Sequence, residues 1–120
     1  MYRISKHASE ERLERFCYLM ETLGIGEEVC VSNARTDDRK TVLTSTGVVL
    51  VLAEDGCVIT AYIASMKEAT FIWHHSERSS SKMPTWLYNR VLNNKKYWRE
   101  STRLSLVHHY HEEETNHKFF

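Results

Sequence analysis

Three short segments rich in β-branched and apolar residues constrain the fold more than any other feature of the sequence. They occupy residues 41–44, 48–53 and 57–64. Ser45-Thr46-Gly47 separates the first two segments, and Asp55-Gly56 separates the second and third. Asp-Gly is a favoured two-residue hairpin turn because both positions tolerate positive φ. The segments therefore predict an antiparallel meander of at least three strands.

The middle segment is predicted to be an interior strand. Residues 48–52 read Val-Val-Leu-Val-Leu and are apolar at every position. A strand covered on both faces shows such a run, whereas a strand with one wet face alternates. Residues 69–73 are a candidate fourth strand, and residues 27–33 fit either a strand or a helical turn.

Helices are predicted on both sides of the meander. With Ser5 as its N-cap, a helix over residues 6–23 carries an apolar stripe at helical spacing, and Gly24 supplies a C-terminal stop. Pro84 suits the first turn of a second helix over residues 83–99. The predicted fold class is α+β: an N-terminal helix packed on an antiparallel β-meander of three to four strands, with a C-terminal helical region.

The length of 120 residues predicts a single domain over 1–120. Its parts are a helix-plus-sheet core over 4–73, a basic and aromatic helical region over 83–110, and a tail over 111–120. No apolar run is long enough for a spanning helix, and the first residues lack a signal-peptide h-region. We therefore expect a cytoplasmic protein with no membrane partner. Cys17, Cys30 and Cys57 form no CxxC pair and are expected to be small core residues.

Charge is segregated within a chain that is neutral overall. Residues 78–103 hold seven basic residues and one acidic residue, Glu100, a net charge of +6. The same stretch holds four aromatic rings: Trp86, Tyr88, Tyr97 and Trp98. Cations interleaved with aromatic faces suit a polyanion with stackable bases. They equally suit an acidic protein surface.

The predicted binding residues lie between positions 90 and 103. The cations would contact phosphates while Tyr97 or Trp98 stacks on a base. An amphipathic helix with a solvated basic face and core-facing tryptophans explains the same pattern without any ligand. The predicted set is Arg90, Lys95, Lys96, Tyr97, Trp98, Arg99 and Arg103.

A second group of residues suggests catalysis. Ser-Lys-His-Ala at 5–8 opens the first helix, and Val-Ile-Thr-Ala-Tyr at 58–62 forms a strand. A metal-independent ribonuclease needs a base for the 2′-OH proton, cations for the phosphate and an acid for the leaving oxygen. His7, Arg12 or Arg15, and Tyr62 match those roles. A solvated helix and an ordinary strand explain the same residues, since no spacing forces them together.

This layout resembles the barnase/colicin/RelE-type toxin ribonucleases over residues 4–73, and small phage and prophage proteins of that general shape. The resemblance implies a helix packed on an antiparallel meander. It also implies that an early helix histidine works with downstream arginines, which here are His7, Arg12 and Arg15.

Other chemistry has weaker support in the sequence. No Gly-rich nucleotide loop, GxSxG elbow or HExxH motif is present, so no cofactor is predicted. The histidine spacings match no zinc pattern, so no metal site is predicted, although imidazoles titrate near neutrality and would make binding pH-sensitive. Six of the seven histidines fall in the second half of the chain: His74, His75, His108, His109, His111 and His117.

The leading hypothesis is a small cytoplasmic phage-type protein that engages nucleic acid, RNA or DNA, or its machinery. Arg90, Lys95, Lys96, Arg99 and Trp98 would carry the contact, with ribonuclease activity as an extension. The alternative is a non-catalytic inhibitor, similar to an anti-CRISPR protein, that binds a host nucleic-acid enzyme or defence system. A third interpretation is an assembly protein that forms homo-oligomers through its sheet edge.

Overall fold

The computed structural model describes residues 3–4, 10–33, 38–98 and 100, with the side chains of residues 10–12 left out. The first described helix, α1, is followed by four strands, two further helices and a 3-10 helix. In chain order the elements are α1 (Glu10–Thr22), β1 (Glu28–Ser32), β2 (Lys40–Thr44), β3 (Val48–Leu52), β4 (Val58–Ile63), α2 (Met66–His74), α3 (Thr85–Asn93) and η1 (Asn94–Tyr97).

The four strands form one antiparallel sheet in the order β1-β2-β3-β4. This confirms the predicted meander, and residues 27–33 supply its first strand. Gly47 and Gly56 close the β2–β3 and β3–β4 hairpins with φ of +82° and +87°, values that glycine adopts without a steric penalty. The second turn is longer than the predicted two residues, because the backbone N–H of Ala53 donates to the carbonyl of Cys57 at 2.8 Å. The Cys57 N–H donates to the Asp55 carboxylate at 3.0 Å and lowers the pKa of that carboxyl below its usual range.

Both faces of the sheet are buried, as the apolar run of β3 predicts. On one face, Phe16 and Leu19 of α1 pack on a first cluster that includes Leu50. On the other face, α2 and α3 pack on a second cluster that includes Leu43 and Val49. Neighbouring residues of β2 and β3 alternate between the clusters because successive strand side chains point to opposite faces. The class is α+β, with α1 on one side of the sheet and the C-terminal helices on the other.

The prediction of a strand at residues 69–73 is wrong, since these residues lie in helix α2. Ser65 caps the helix, and its Oγ accepts a hydrogen bond from the Glu68 N–H at 3.1 Å. Ala69, Ile72 and Trp73 are buried at spacings of three and one, which is a helical face. Serine followed three residues later by glutamate is a capping signal that was readable in the sequence.

The expectation of three core cysteines holds for Cys30 alone. Cys30 is buried in the second cluster, and burial raises the pKa of its thiol. Cys57 is half-buried, and Cys17 is exposed. Cys17 is exposed because it lies on the solvent side of α1, whose buried side is formed by Phe16 and Leu19.

At each outer strand of the sheet, a neighbouring segment of the chain forms hydrogen bonds with part of the edge. Residues 3–4 lie beside β4, where the Val58 N–H donates to the Arg3 carbonyl at 2.6 Å. Beside β1, Ser32 forms an isolated bridge with Ser76, and the Val31 N–H donates to the Glu77 carboxylate at 3.4 Å. Such cover blunts the covered part of an edge against pairing with another chain, and assembly through the sheet stays a prediction. Among the helices of the described ranges, none has the length and apolar character needed to cross a membrane.

Candidate nucleic-acid interface

Helix α3 buries one side and exposes aromatic and basic residues over the rest of its circumference. Leu87 and Val91, four residues apart, are buried in the second cluster. Trp86, Tyr88 and Arg90 are exposed. Trp86 and Arg90 are also four residues apart and therefore neighbours on the helix surface.

Asn94 fixes the end of α3 to the end of the sheet. This side chain is buried, and its Nδ2 donates to the Thr46 carbonyl in the β2–β3 turn at 2.8 Å. A side chain at Gly47 would clash with the Asn94 amide, so the turn and the asparagine fit only while position 47 is glycine. This contact places Lys95 and Lys96 at the end of the sheet where β2 turns into β3.

Beyond Asn94 the chain crosses to the first face of the sheet. Tyr97 and Trp98 are half-buried and pack against the first cluster. The Lys95 Nζ lies 6.0 Å from the centroid of the Trp98 ring, and the Lys96 Nζ lies 5.2 Å from that of Tyr97. Each ring therefore lies within cation–π distance of one lysine ammonium group. Trp86 and Tyr88, which our predicted binding set lacks, are the more open rings.

The segment from 78 to 98 is uniformly basic. It contains five basic residues and no acidic residue: Arg78, Lys82, Arg90, Lys95 and Lys96. All five are exposed. Within the ranges that the structure describes, none of the five is in an ion pair with a carboxylate. Among the described residues, no direct ion pair therefore neutralises these charges. The Arg99 side chain and Arg103 lie outside the described residues.

The predicted catalytic residues are anchored to neighbouring elements. The Arg15 guanidinium donates to Thr60 Oγ1 at 2.6 Å and joins α1 to β4. The Tyr62 hydroxyl donates to the Glu68 carboxylate at 2.7 Å and joins β4 to α2. The first bond brings Arg15 to a strand position two residues from Tyr62. His7 and the side chain of Arg12 lie outside the described residues, so the catalytic assignment stays a prediction.

The histidines within the described ranges lie at the end of α2. His74 and His75 are exposed. The His75 ring stacks on Phe71 with centroids 4.2 Å apart. Among the described residues, no group of three His, Cys, Asp or Glu side chains is placed to hold a metal ion. The other histidines of the second half of the chain lie outside those residues.

Comparison with known proteins identifies no relative of this chain. A scan against protein-family models finds no matching family, and searches of curated proteins and of solved structures find no match. The resemblance to toxin ribonucleases therefore stays a prediction, and the function has to be argued from the surface itself.

Replacing Asn94 tests the contact that positions the basic end of this surface. Asn94→Ala is expected to lower the free energy of unfolding by about 1–2 kcal/mol, because a buried hydrogen bond to the Thr46 carbonyl is lost. Asn89→Ala, in an exposed position of the same helix, is the matched control and should change it by less than about 0.5 kcal/mol. Urea unfolding measures both variants. Equal unfolding midpoints for the two variants would contradict a structural role for Asn94.

Proposed function

We propose that the protein binds nucleic acid through the α3–η1 surface, which we define as Trp86, Tyr88, Arg90, Lys95 and Lys96. One observation carries the proposal: exposed cations without a carboxylate partner in the described chain share α3 and η1 with exposed aromatic rings. Surface cations are commonly balanced by nearby acids, and a segment of 21 residues without one favours a polyanionic ligand.

The chemistry of the surface suits a flexible single strand. Arg90, Lys95 and Lys96 offer three positive groups for phosphates, a contact that carries no sequence information. Trp86 offers an indole face one helical turn from Arg90. Unpaired bases can stack on such a ring while the guanidinium holds the adjacent phosphate. Paired bases in a duplex cannot reach the ring, so we expect single strands to bind more tightly than double strands.

Overall neutrality is compatible with this proposal because some of the described acidic residues lie on another face of the molecule. Glu14 and Glu21 are exposed on α1, which lies on the opposite face of the sheet from α3. A polyanion approaching the acidic side is repelled and one approaching α3 is attracted, so the charge distribution orients binding. The phage-type origin and the cytoplasmic location stay predictions.

A protein target is the second candidate, since the same surface has the composition of a binding hot spot. Tryptophan, tyrosine and arginine dominate the energetics of protein interfaces, and Trp86, Tyr88 and Arg90 are all exposed on one short helix. The protein would then act as a non-catalytic inhibitor of a nucleic-acid enzyme or defence system, occluding the enzyme's nucleic-acid contact. Nucleic acid is favoured because lysines, which protein hot spots use sparingly, make up two of the three cations of the α3–η1 surface.

Incubation of the purified protein with labelled RNA, single-stranded DNA and double-stranded DNA tests the proposal directly. Retention of the single strands in a gel shift at about 50 mM salt, weakened at about 200 mM, is the expected result. Retention of none of the three at low salt would contradict nucleic-acid binding and leave the protein target. The same gel reports cleavage, and ribonuclease activity is supported only if His7→Ala removes it.

Truncating the open indole tests whether stacking contributes to affinity. Trp86→Ala is expected to weaken binding to a single strand by about 5- to 100-fold, the range that one base–aromatic stack contributes. Trp86→Phe retains a π-face and should recover most of the affinity. Fluorescence anisotropy with a labelled oligonucleotide measures both variants. Equal affinities for the alanine variant and the unchanged protein would remove Trp86 from the interface.

A further inference from the structure

The large apolar side chains that reach solvent are concentrated on two helices. Among the described residues five such side chains are exposed, and α1 and α3 carry all of them. They are Leu13 (38% exposed), Met20 (49%), Trp86 (52%), Tyr88 (46%) and Leu92 (37%). Single apolar residues are normal on a protein surface, whereas exposed apolar residues grouped on two helices indicate interaction sites.

The exposed residues of α1 form a stripe with an acidic edge. Leu13, Cys17 and Met20 are separated by four and three residues, so they follow one another along one side of the helix. We call these three residues the α1 stripe. Glu14 and Glu21, the residues after Leu13 and Met20, are exposed and line one edge of it.

The exposed residues of α3 form a ridge of similar length with a basic end. Tyr88 and Leu92 are four residues apart, and Lys95 and Lys96 follow one turn later. We call these four residues the α3 ridge. Seven residues of helix span about 10 Å, which is the separation of Leu13 from Met20 and close to that of Tyr88 from Lys95. The stripe and the ridge therefore match in length, in apolar character and in opposite charge.

One molecule cannot bring the apolar parts of these two surfaces together. Helix α1 packs on the first cluster, whereas Tyr88 and Leu92 belong to α3, which packs on the second cluster on the opposite face of the sheet. A contact between stripe and ridge has to join two copies of the chain.

We propose that the α1 stripe of one copy binds the α3 ridge of a second copy. Glu14 or Glu21, according to the direction in which the two helices run, then faces Lys95 and Lys96, whereas stripe-to-stripe or ridge-to-ridge contacts bring like charges together. The contact is heterologous, because different surfaces of the two copies meet. Each added copy leaves one stripe and one ridge available, so the assembly grows head to tail instead of stopping at a dimer.

The size of the contact sets its strength. Two short helices bury less than the roughly 800 Å² per partner of a standard interface, so the association is weak and depends on concentration. It does not rest on nucleic-acid binding, but it uses part of the same α3 surface. A bound single strand and a second copy therefore exclude each other.

Sedimentation velocity under reducing, low-salt conditions tests the proposal. From about 10 µM to about 1 mM, which brackets the weak end of the affinity scale, the weight-average sedimentation coefficient should rise. A stripe variant, Leu13→Ser with Met20→Ser, and a ridge variant, Tyr88→Ser with Leu92→Ser, should each stay monomeric. Mixed in equal amounts they should form a heterodimer and nothing larger, since each supplies the surface that the other lacks.

Three results would overturn the proposal: an unchanged protein that is monomeric throughout, a stripe variant that still self-associates, or a mixture that stays monomeric while the unchanged protein assembles. Cooperative unfolding of each variant confirms that it folds. If an apolar variant does not fold, exposed charges replace it: Glu14→Lys with Glu21→Lys, and Lys95→Glu with Lys96→Glu. Each charge variant should be monomeric alone, and their mixture should regain association. Stripe variants keep the α3–η1 surface, so their nucleic-acid binding reports separately on the proposed function.

Discussion

Reversing the charge of two adjacent lysines should remove nucleic-acid binding. Lys95→Glu with Lys96→Glu is expected to weaken binding to a labelled single strand by about 100-fold or more, because two phosphate contacts become repulsions. Both side chains are exposed, and within the described chain neither lysine is in an ion pair that the change would break. The slope of log affinity against log salt should become shallower by about 1.4, which is about 0.7 for each lysine in a contact with a single strand. Fluorescence anisotropy over a salt series measures both effects.

The matched control moves the same charge change to other parts of the molecule. Lys40 at the start of β2 and Lys67 in α2 are both exposed. Lys40→Glu with Lys67→Glu gives the same net charge and should leave affinity within a few-fold of the unchanged protein. Equal losses in the two variants would show that net charge alone governs binding. Unchanged binding in the Lys95 and Lys96 variant would show that the ligand binds elsewhere.

The largest effect on stability is expected from Trp73→Ala, which should lower the free energy of unfolding by about 3–5 kcal/mol. Trp73 is 1% exposed and is the largest fully buried side chain of the described chain. It packs in the second cluster between α2 and the sheet, and its indole N–H donates to the Ser81 carbonyl at 2.8 Å. Truncation opens a cavity and leaves that carbonyl without its donor. Natural domains are stable by about 5–15 kcal/mol, so the variant approaches the limit of folding.

Two control variants show whether the loss of stability comes from the burial of Trp73 or from removing any indole side chain. Trp86→Ala removes the same side chain from an exposed position and should change the free energy of unfolding by less than about 0.5 kcal/mol. Trp73→Phe keeps most of the apolar volume and should lose less than the alanine variant. Urea unfolding gives all three values. A similar loss at positions 73 and 86 would contradict the placement of Trp73 in the core.

Local signals explain why the sheet could be predicted. Gly47 and Gly56 mark the β2–β3 and β3–β4 turns, and the unbroken apolar run of β3 indicates a strand buried on both faces. The short run at residues 69–73 was ambiguous because five apolar-rich residues fit a buried strand as well as a helix. The capping pair Ser65 and Glu68 resolves that ambiguity in favour of a helix.

The sequence predicts the basic character of the candidate site, but it does not predict which aromatic rings are exposed there. A run of basic residues without acids is visible in any sequence, whereas exposure of a ring depends on which side of a helix it occupies. At Asn94 the α-helix tightens into a 3-10 helix, so the 3.6-residue period stops there. Tyr97 and Trp98 then reach the first cluster on the other face of the sheet. The hydrogen bond from Asn94 to the Thr46 carbonyl holds the chain at this point. It joins residues 48 positions apart, so no local sequence pattern predicts it.

The salt dependence of single-strand binding by the unchanged protein tests the central claim most directly. Three cations on the α3–η1 surface predict a slope of about −2 for log affinity against log salt, because each contact to a single strand contributes about −0.7. Between about 50 and 200 mM salt the affinity should therefore fall about 20-fold. A slope near zero, or no binding at the lower salt concentration, would contradict the proposal that this surface binds a polyanion.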